Sequence, residues 1–260
     1  MDIEYIRRIG IAAAYKGGSV LRHFLGNISR IDKKGEIDLV TEADTGSEKV
    51  IIETIRQRFP DHSFLAEESG LSMGNPDCRW IIDPLDGTSN FAHGLPQFAV
   101  SIAFAFKGEI AAGVVLNPVS GELFSAVKDC GAQLNARPIH VSDTESVSES
   151  LLVTGFPYNF KEISDPLMAR FAKCLHAAQG IRRLGSAALD LCFVACGRFD
   201  GFWEQNLKPW DTSAGMLIAK EAGAEVTDFS SHPFTLDHME ILASNGRIHR
   251  EMLSLLEYKE

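Results

Sequence analysis

Residues 80–96 read WIIDPLDGTSNFAHGLP. Trp80 to Ile82 is a short apolar run, the pattern of a buried strand, and it delivers Asp83 at its end. Pro84 fixes the turn and Asp86 follows three residues after Asp83. Gly87 then permits a tight backbone approach before Thr88 to Asn90, which can open a helix. Two carboxylates leaving one strand end beside the N–H groups of a helix start make a place where a hard cation and a phosphate can meet.

Alone, an Asp-Gly pair is an ordinary turn signal and the stretch would be structural. Its company raises the weight. Ser63 to Ala66 is a second short apolar run, ending in Glu67 and Glu68; Asp44 closes DLVTEAD; and Asp211 sits in KPWDTSAG at the expected N-cap of a helix. An Asp at a helix start is by itself usually just a cap. Acids at four separate element ends that can face one cleft are harder to explain as four unrelated turns and caps.

Outward from these segments the chain reads as a mixed fold. Helical spacing runs over Tyr5 to Leu25 and Asp44 to Phe59, the latter closed by Pro60. From Phe98 to Leu134 strands alternate with turn signals (FAVSIAFAF, Lys107-Gly108, IAAGVVL, LFSAV), the pattern of an antiparallel meander. The polar stretch VSDTESVSES follows. Beyond it, LLVTGF, IRRLG and Gly201 to Glu204 read as strands. Asp165 to Ala178, Ser186 to Cys196 and Asp211 to Ala222 read as helices. Alternation of this kind predicts a layered α/β or α+β architecture. The expected organisation is one domain over 1–260, with halves at 1–140 and 150–260.

Bulk composition narrows the function classes. With 45% hydrophobic and 23% charged residues the chain is neither disordered nor fibrous. A formal net charge of -10 repels nucleic acid at long range, so no direct nucleic-acid binding is expected, and a phosphate site in such a protein needs its own cations. No window approaches the roughly 20 apolar residues of a membrane span. The start of the chain lacks the apolar run of a secretory signal. The five cysteines are scattered without CxxC pairs, which predicts free thiols and a reducing, cytoplasmic setting. The histidines show no metal-binding spacing and read as structural or surface residues.

The order and spacing of DLVTEAD, AEES, DPLDGTSNF and PWDTSAG resemble the inositol monophosphatase family of lithium-sensitive, magnesium-dependent phosphatases. LLVTGFPYN and RRLGSAALDL resemble its bacterial members, and the likeness covers nearly the whole chain. The resemblance implies an αβαβα sandwich, usually a homodimer. It implies that Glu67, Asp83, Asp86 and Asp211, with the carbonyl of Leu85, hold two or three Mg2+ ions. Thr88 paired with Asp44 would orient or deprotonate the attacking water, with Glu67 at the same centre. The N–H groups of Gly87 and Thr88 would hold phosphate oxygens. Glu204 and Asp211 would meet substrate hydroxyls, Arg182 and Ala187 would line the same pocket, and Lys33 would belong to a loop shielding the metals.

The chemistry fits these residue types. A phosphate monoester repels nucleophiles, and hydrolysis can require the removal of about 20 kcal/mol of barrier. Hard, ionised carboxylates are the groups that hold the divalent cations able to do this. A phosphatase forming a covalent phospho-aspartate is disfavoured, since its two Asp residues stand two apart, not three. Within the family the phosphate-end motifs do not separate an inositol phosphatase from a fructose-1,6-bisphosphatase, a dual-specificity enzyme or a histidinol phosphatase. A protein-partner role on the same fold is a further, non-catalytic reading.

Overall fold

The computed structural model describes residues 1–26, 31–33, 39–157 and 159–258, with the side chains of 31–33 and 39–41 excepted. In chain order the elements are α1 (Ile3–Phe24), β1 (Ile31–Lys33), β2 (Leu39–Thr41), α2 (Glu42–Arg56), β3 (His62–Ala66), β4 (Gly70–Ser72), β5 (Asn75–Asp86), α3 (Thr88–Ala92), β6 (Ala99–Phe106), β7 (Glu109–Asn117), β8 (Glu122–Val127), β9 (Ala132–Leu134) and β10 (Arg137–Pro138). After a single 3-10 turn come β11 (Leu151–Thr154), α4 (Ser164–Ala177), β12 (Gly180–Arg182), α5 (Ala187–Ala195), β13 (Gly201–Gln205), α6 (Pro209–Glu221), β14 (Glu225–Thr227), β15 (Glu240–Ser244) and α7 (His249–Leu256).

The layers follow from which faces are apolar. An eight-stranded sheet, in the order β10-β9-β8-β7-β6-β5-β3-β4, precedes a five-stranded one, β12-β11-β13-β15-β14. Helices α1 and α2 are amphipathic and bury one stripe each, including Ile6, Ala13, Leu21, Ile51 and Ile55, against one face of the large sheet. Helix α5 is buried at every residue and α6 over Thr212 to Ala219, as helices sandwiched between two sheets must be. On the outer face of the small sheet α4 and α7 cover Leu152, Trp203 and Leu242. The sequence is therefore α-β-α-β-α, as the resemblance implies. The polar stretch 141–150 lies between the last strand of the first sheet and the first of the second.

Two local features aim the site. β3 and β5 are parallel neighbours with Ala66 beside Ile82, so Glu67 and Asp83 leave the sheet at the same edge; Glu67 N–H donates to Ile82 O at 3.1 Å. Against β6, β5 pairs Asp83 with Ser101 and then Asp86 with Ala99, a bulge that spans Pro84 and Leu85. Pro84 has no N–H for the ladder, and an unpaired stretch there re-aims the two flanking carboxylates.

One expectation is corrected. Asp211 is not the N-cap of its helix: α6 starts at Pro209, with Lys208 as the cap residue. Proline presets the helical φ and needs no N–H in the first turn, so the cap and the helix start lie three residues earlier than the position of the acid suggests. Asp211 instead folds back, its Oδ2 accepting the Lys208 N–H at 2.7 Å.

Candidate active site

The ends of β3, β5 and β13, the start of α3, and the N-termini of α5 and α6 converge on a cavity of about 310 Å³. Glu67, Asp83, Asp86 and Asp211 all line it, together with Leu85, Gly87, Thr88, Ala187 and Glu204. The structure thus brings together acids that lie up to 144 residues apart in the chain (211 − 67 = 144).

Each is held by a neighbour. Asp83 Oδ1 accepts the N–H of Leu85 at 2.9 Å, closing the bulge. Asp86 Oδ2 accepts the Ser186 hydroxyl at 2.6 Å and the Ala188 N–H at 2.8 Å, both from the start of α5. Thr88 donates from Oγ1 to Leu85 O at 3.1 Å and to Asp44 Oδ1 at 3.3 Å. Gly87 has φ of 94°, the left-handed region, and a Cβ there would meet Gln97 O at 2.9 Å. Only glycine satisfies both conditions. Gly87 and Thr88 stand at the head of α3, where the first N–H groups have no partner within the helix.

The electrostatics describe a site built for cations. Burial pushes the Asp83 carboxyl well above the usual range, and repulsion from Glu67, Asp86 and Asp211 adds to it. Asp86 is pushed up to about 6 by burial, against the stabilising donors of Ser186 and Ala188. Burial and then Asp86 raise Asp211, and burial and then Asp211 push Glu204 up to about 8. Acids this costly to ionise beside one another are the donor set that divalent cations stabilise. Among the described residues no three such side chains converge into a ready-made cage. The oxygens are spread around an open cavity, which suits a hard cation that shares its shell with water and phosphate.

One site residue departs from the sequence expectation. Arg182 is exposed, its Nη1 donating to Ile181 O at 3.0 Å, and it is Arg183 that lines the cavity. β12 ends at Arg182, so the chain turns between the two arginines and presents only the second. Asp44 is buried behind the wall and reaches the cavity through Thr88. The side chain of Lys33 lies outside the described residues, although its backbone closes β1. Trp203 is core, whereas Trp210 lines the cavity.

Residues that went unnoticed in the sequence include Ser186, Asn90, Glu48 and Asp190. Ser186 carries a signal in retrospect, as a serine directly before an apolar helical run, the N-cap position of α5. Asn90 donates from Nδ2 to Gln97 O and Leu184 O at 2.6 and 2.7 Å, tying α3 to the loop that carries Arg183. Asp190 is buried in α5 with Oδ1 lacking a hydrogen-bond partner among the described residues. Burial raises its carboxyl, with Glu204 and Asp86 adding to the rise. Nothing in ALDL distinguishes it from a surface acid.

Residues 2–259 match the sequence profile of the inositol monophosphatase family. The chain belongs to that family. It is thereby a phosphoric monoester hydrolase by class. An inositol-1-monophosphatase of Synechocystis is 46% identical over 258 residues, covering 98% of this chain and 90% of the relative. The Nus factor SuhB of Vibrio cholerae is 43% identical, covering 92% and 91%. In three dimensions the chain is similar to the extragenic suppressor protein suhB of Bartonella henselae, with a TM-score of 0.95 at 38% identity, over 98% of this chain and all of that one.

Proposed function

We propose that this protein hydrolyses the phosphate monoester of a small polyol, inositol 1-phosphate foremost, with Mg2+ as its cofactor. The observation that carries the reading is the set of four acids that line one cavity with Gly87 and Thr88, the latter hydrogen-bonded to Asp44. Glu67, Asp83, Asp86, Asp211 and the Leu85 carbonyl would hold two or three Mg2+ ions. When bound, such ions lower the pKa of water, neutralise phosphate oxygens and stabilise the leaving alkoxide.

The chain's own groups supply position and proton handling. Asp44 accepts the Thr88 hydroxyl proton, which leaves the lone pairs of Oγ1 available to orient a water and take up its proton through the Thr88–Asp44 pair. The N–H groups of Gly87 and Thr88, which line the cavity, would offer donors to phosphate oxygens. Glu204, buried and facing the cavity, is the acceptor for a ring hydroxyl, with Ala187 leaving room beside it. Lithium sensitivity and a homodimer belong to the same reading, on the family resemblance.

Arg183 favours a second substrate reading. Its charge reaches Glu204 and Asp190 from the cavity wall, and a guanidinium there suits a substrate with a second anionic group, such as fructose 1,6-bisphosphate. A partner-binding role is suggested separately by the name of the Vibrio relative. It would be exercised through surfaces other than the carboxylate cavity.

The test is phosphate release from myo-inositol 1-phosphate and from fructose 1,6-bisphosphate across a Mg2+ titration, with Asp86→Asn as control. Mg2+-dependent release that Asp86→Asn abolishes is the expected result, and the ratio of the two rates chooses the substrate. Release that survives Asp86→Asn or full chelation would overturn the proposal.

A further inference from the structure

β11 and β13 run parallel with Thr154 beside Trp203, so one step further along the register Gly155 comes beside Glu204. Thr154 clamps the two strand ends, its hydroxyl donating to Trp203 O at 2.6 Å. The Glu204 carboxylate lies directly across Gly155. A Cβ placed on residue 155 would fall deep inside the contact radii of Oε1, Oε2 and Cδ of Glu204. Glu204 is only 7% exposed, so the carboxylate has nowhere to retreat except into the cavity.

Gly155 is not required for its backbone. It is not among the residues with positive φ, so the left-handed conformation that favours glycine is not what places one there. The missing Cβ is therefore the feature that the site uses. Gly155 follows β11, an element separate from β3, β5, α3 and α6, which carry the four acids, Gly87 and Thr88.

We propose that Gly155 is a specificity-determining residue that seats Glu204 against the strand and keeps the polyol end of the cavity open. The proposal rests on the reading of Glu204 as the acceptor for a substrate hydroxyl. A methyl group at 155 drives the carboxylate toward the space a polyol ring would fill, which misplaces the acceptor and narrows the cavity together. An ester without ring hydroxyls, such as p-nitrophenyl phosphate, makes no use of Glu204 and loses less.

The experiment compares kcat/KM for myo-inositol 1-phosphate with kcat/KM for p-nitrophenyl phosphate in the wild type, Gly155→Ala, Glu204→Ala and the double variant. In Gly155→Ala the ratio falls about tenfold or more, the scale of one misplaced buried hydrogen bond, and the loss appears in KM for the polyol ester. In the Glu204→Ala background the same substitution changes the ratio by less than about twofold, because the clash has been removed. A ratio unmoved in Gly155→Ala, or an equal loss in both backgrounds, overturns the proposal. Melting temperatures give an independent reading: Gly155→Ala lowers Tm and Glu204→Ala restores it, whereas equal destabilisation in both backgrounds overturns the steric coupling. If Glu204→Ala by itself leaves the ratio untouched, the hydroxyl-acceptor reading fails, and the melting temperatures alone decide the role of Gly155.

Discussion

Ser186 donates its hydroxyl proton to Asp86 Oδ2 at 2.6 Å, across 100 residues of chain. The same hydroxyl oxygen caps α5 by accepting the Leu189 N–H at 3.4 Å. A carboxylate delivered by a strand of the large sheet is thus aimed by a helix that packs against both sheets. Neither half of the chain sets the geometry of Asp86 alone.

Ser186→Ala should weaken Mg2+ binding by about ten- to a hundredfold, as removal of a partner that orients a ligand does. It should also cost about 1 kcal/mol of stability through the lost cap. Calorimetric titration with Mg2+ and a denaturant midpoint check the two effects separately. Unchanged Mg2+ affinity would mean that Ala188 N–H alone is enough to place Asp86.

Helix α2 braces three parts of the site from one face. Asp44 accepts from Thr88, Ser47 donates to Pro84 O at 3.1 Å, and Glu48 Oε2 accepts the Glu68 N–H at 2.8 Å. Glu48 is 4% exposed and sits one turn after Asp44. Glu48→Ala should loosen the strand end that carries Glu67 and lower Mg2+ affinity about tenfold, while Glu48→Gln, which keeps an acceptor, should lose much less. Equal affinity in both variants would remove Glu48 from the support of the site.

The two arginines should separate cleanly. Arg183→Ala, on the cavity wall, should raise KM for the preferred phosphate ester by about ten- to a hundredfold, the scale of a charge-assisted contact. Arg182→Ala, which points away, should change KM by less than about twofold. Steady-state kinetics of both variants decide it, and the opposite ranking would reinstate Arg182.

Metal removal should give the stability a pH dependence of predictable sign. Asp86 moves from 3.8 to about 6 on folding and Glu204 from 4.5 to about 8, both raised. The folded state then binds more protons than the unfolded one between the ordinary values and the raised ones. Stability is fully present below about pH 4 and is lost as pH rises through 6 and 8, by up to about 1.4 kcal/mol per pH unit for each proton involved. Chelated protein should therefore melt lower at pH 8 than at pH 5, and saturating Mg2+ should flatten that difference. A chelated protein whose Tm rises over the same interval would show that the acids are not the controlling groups.

Much of the architecture was legible from residues alone. The two helices that open the first half, the meander and the alternating second half follow from periodicity and turn chemistry, which are local. The boundary of α6 was less legible. Asp211 resembles a cap, but Pro209 sets the first turn, and the acid turns out to be the third helical residue. The choice between Arg182 and Arg183 was likewise closed to sequence reasoning, because it depends on where a three-residue edge strand ends.

By itself the sequence determined that acids stand at the ends of four elements and that Pro84, read as a turn, separates two of them. Their order and spacing also carry the family. Such facts are properties of neighbours in the chain, where covalent geometry and propensity act. Only the tertiary structure decided that Ser186 aims Asp86, that Glu48 and Asp44 work from one helix face, and that the Glu204 carboxylate occupies the space where Gly155 has no side chain. Those relationships join residues 20 to 100 positions apart through register and close packing. The packing geometry that brings them together is fixed only when both sheets close on α5 and α6.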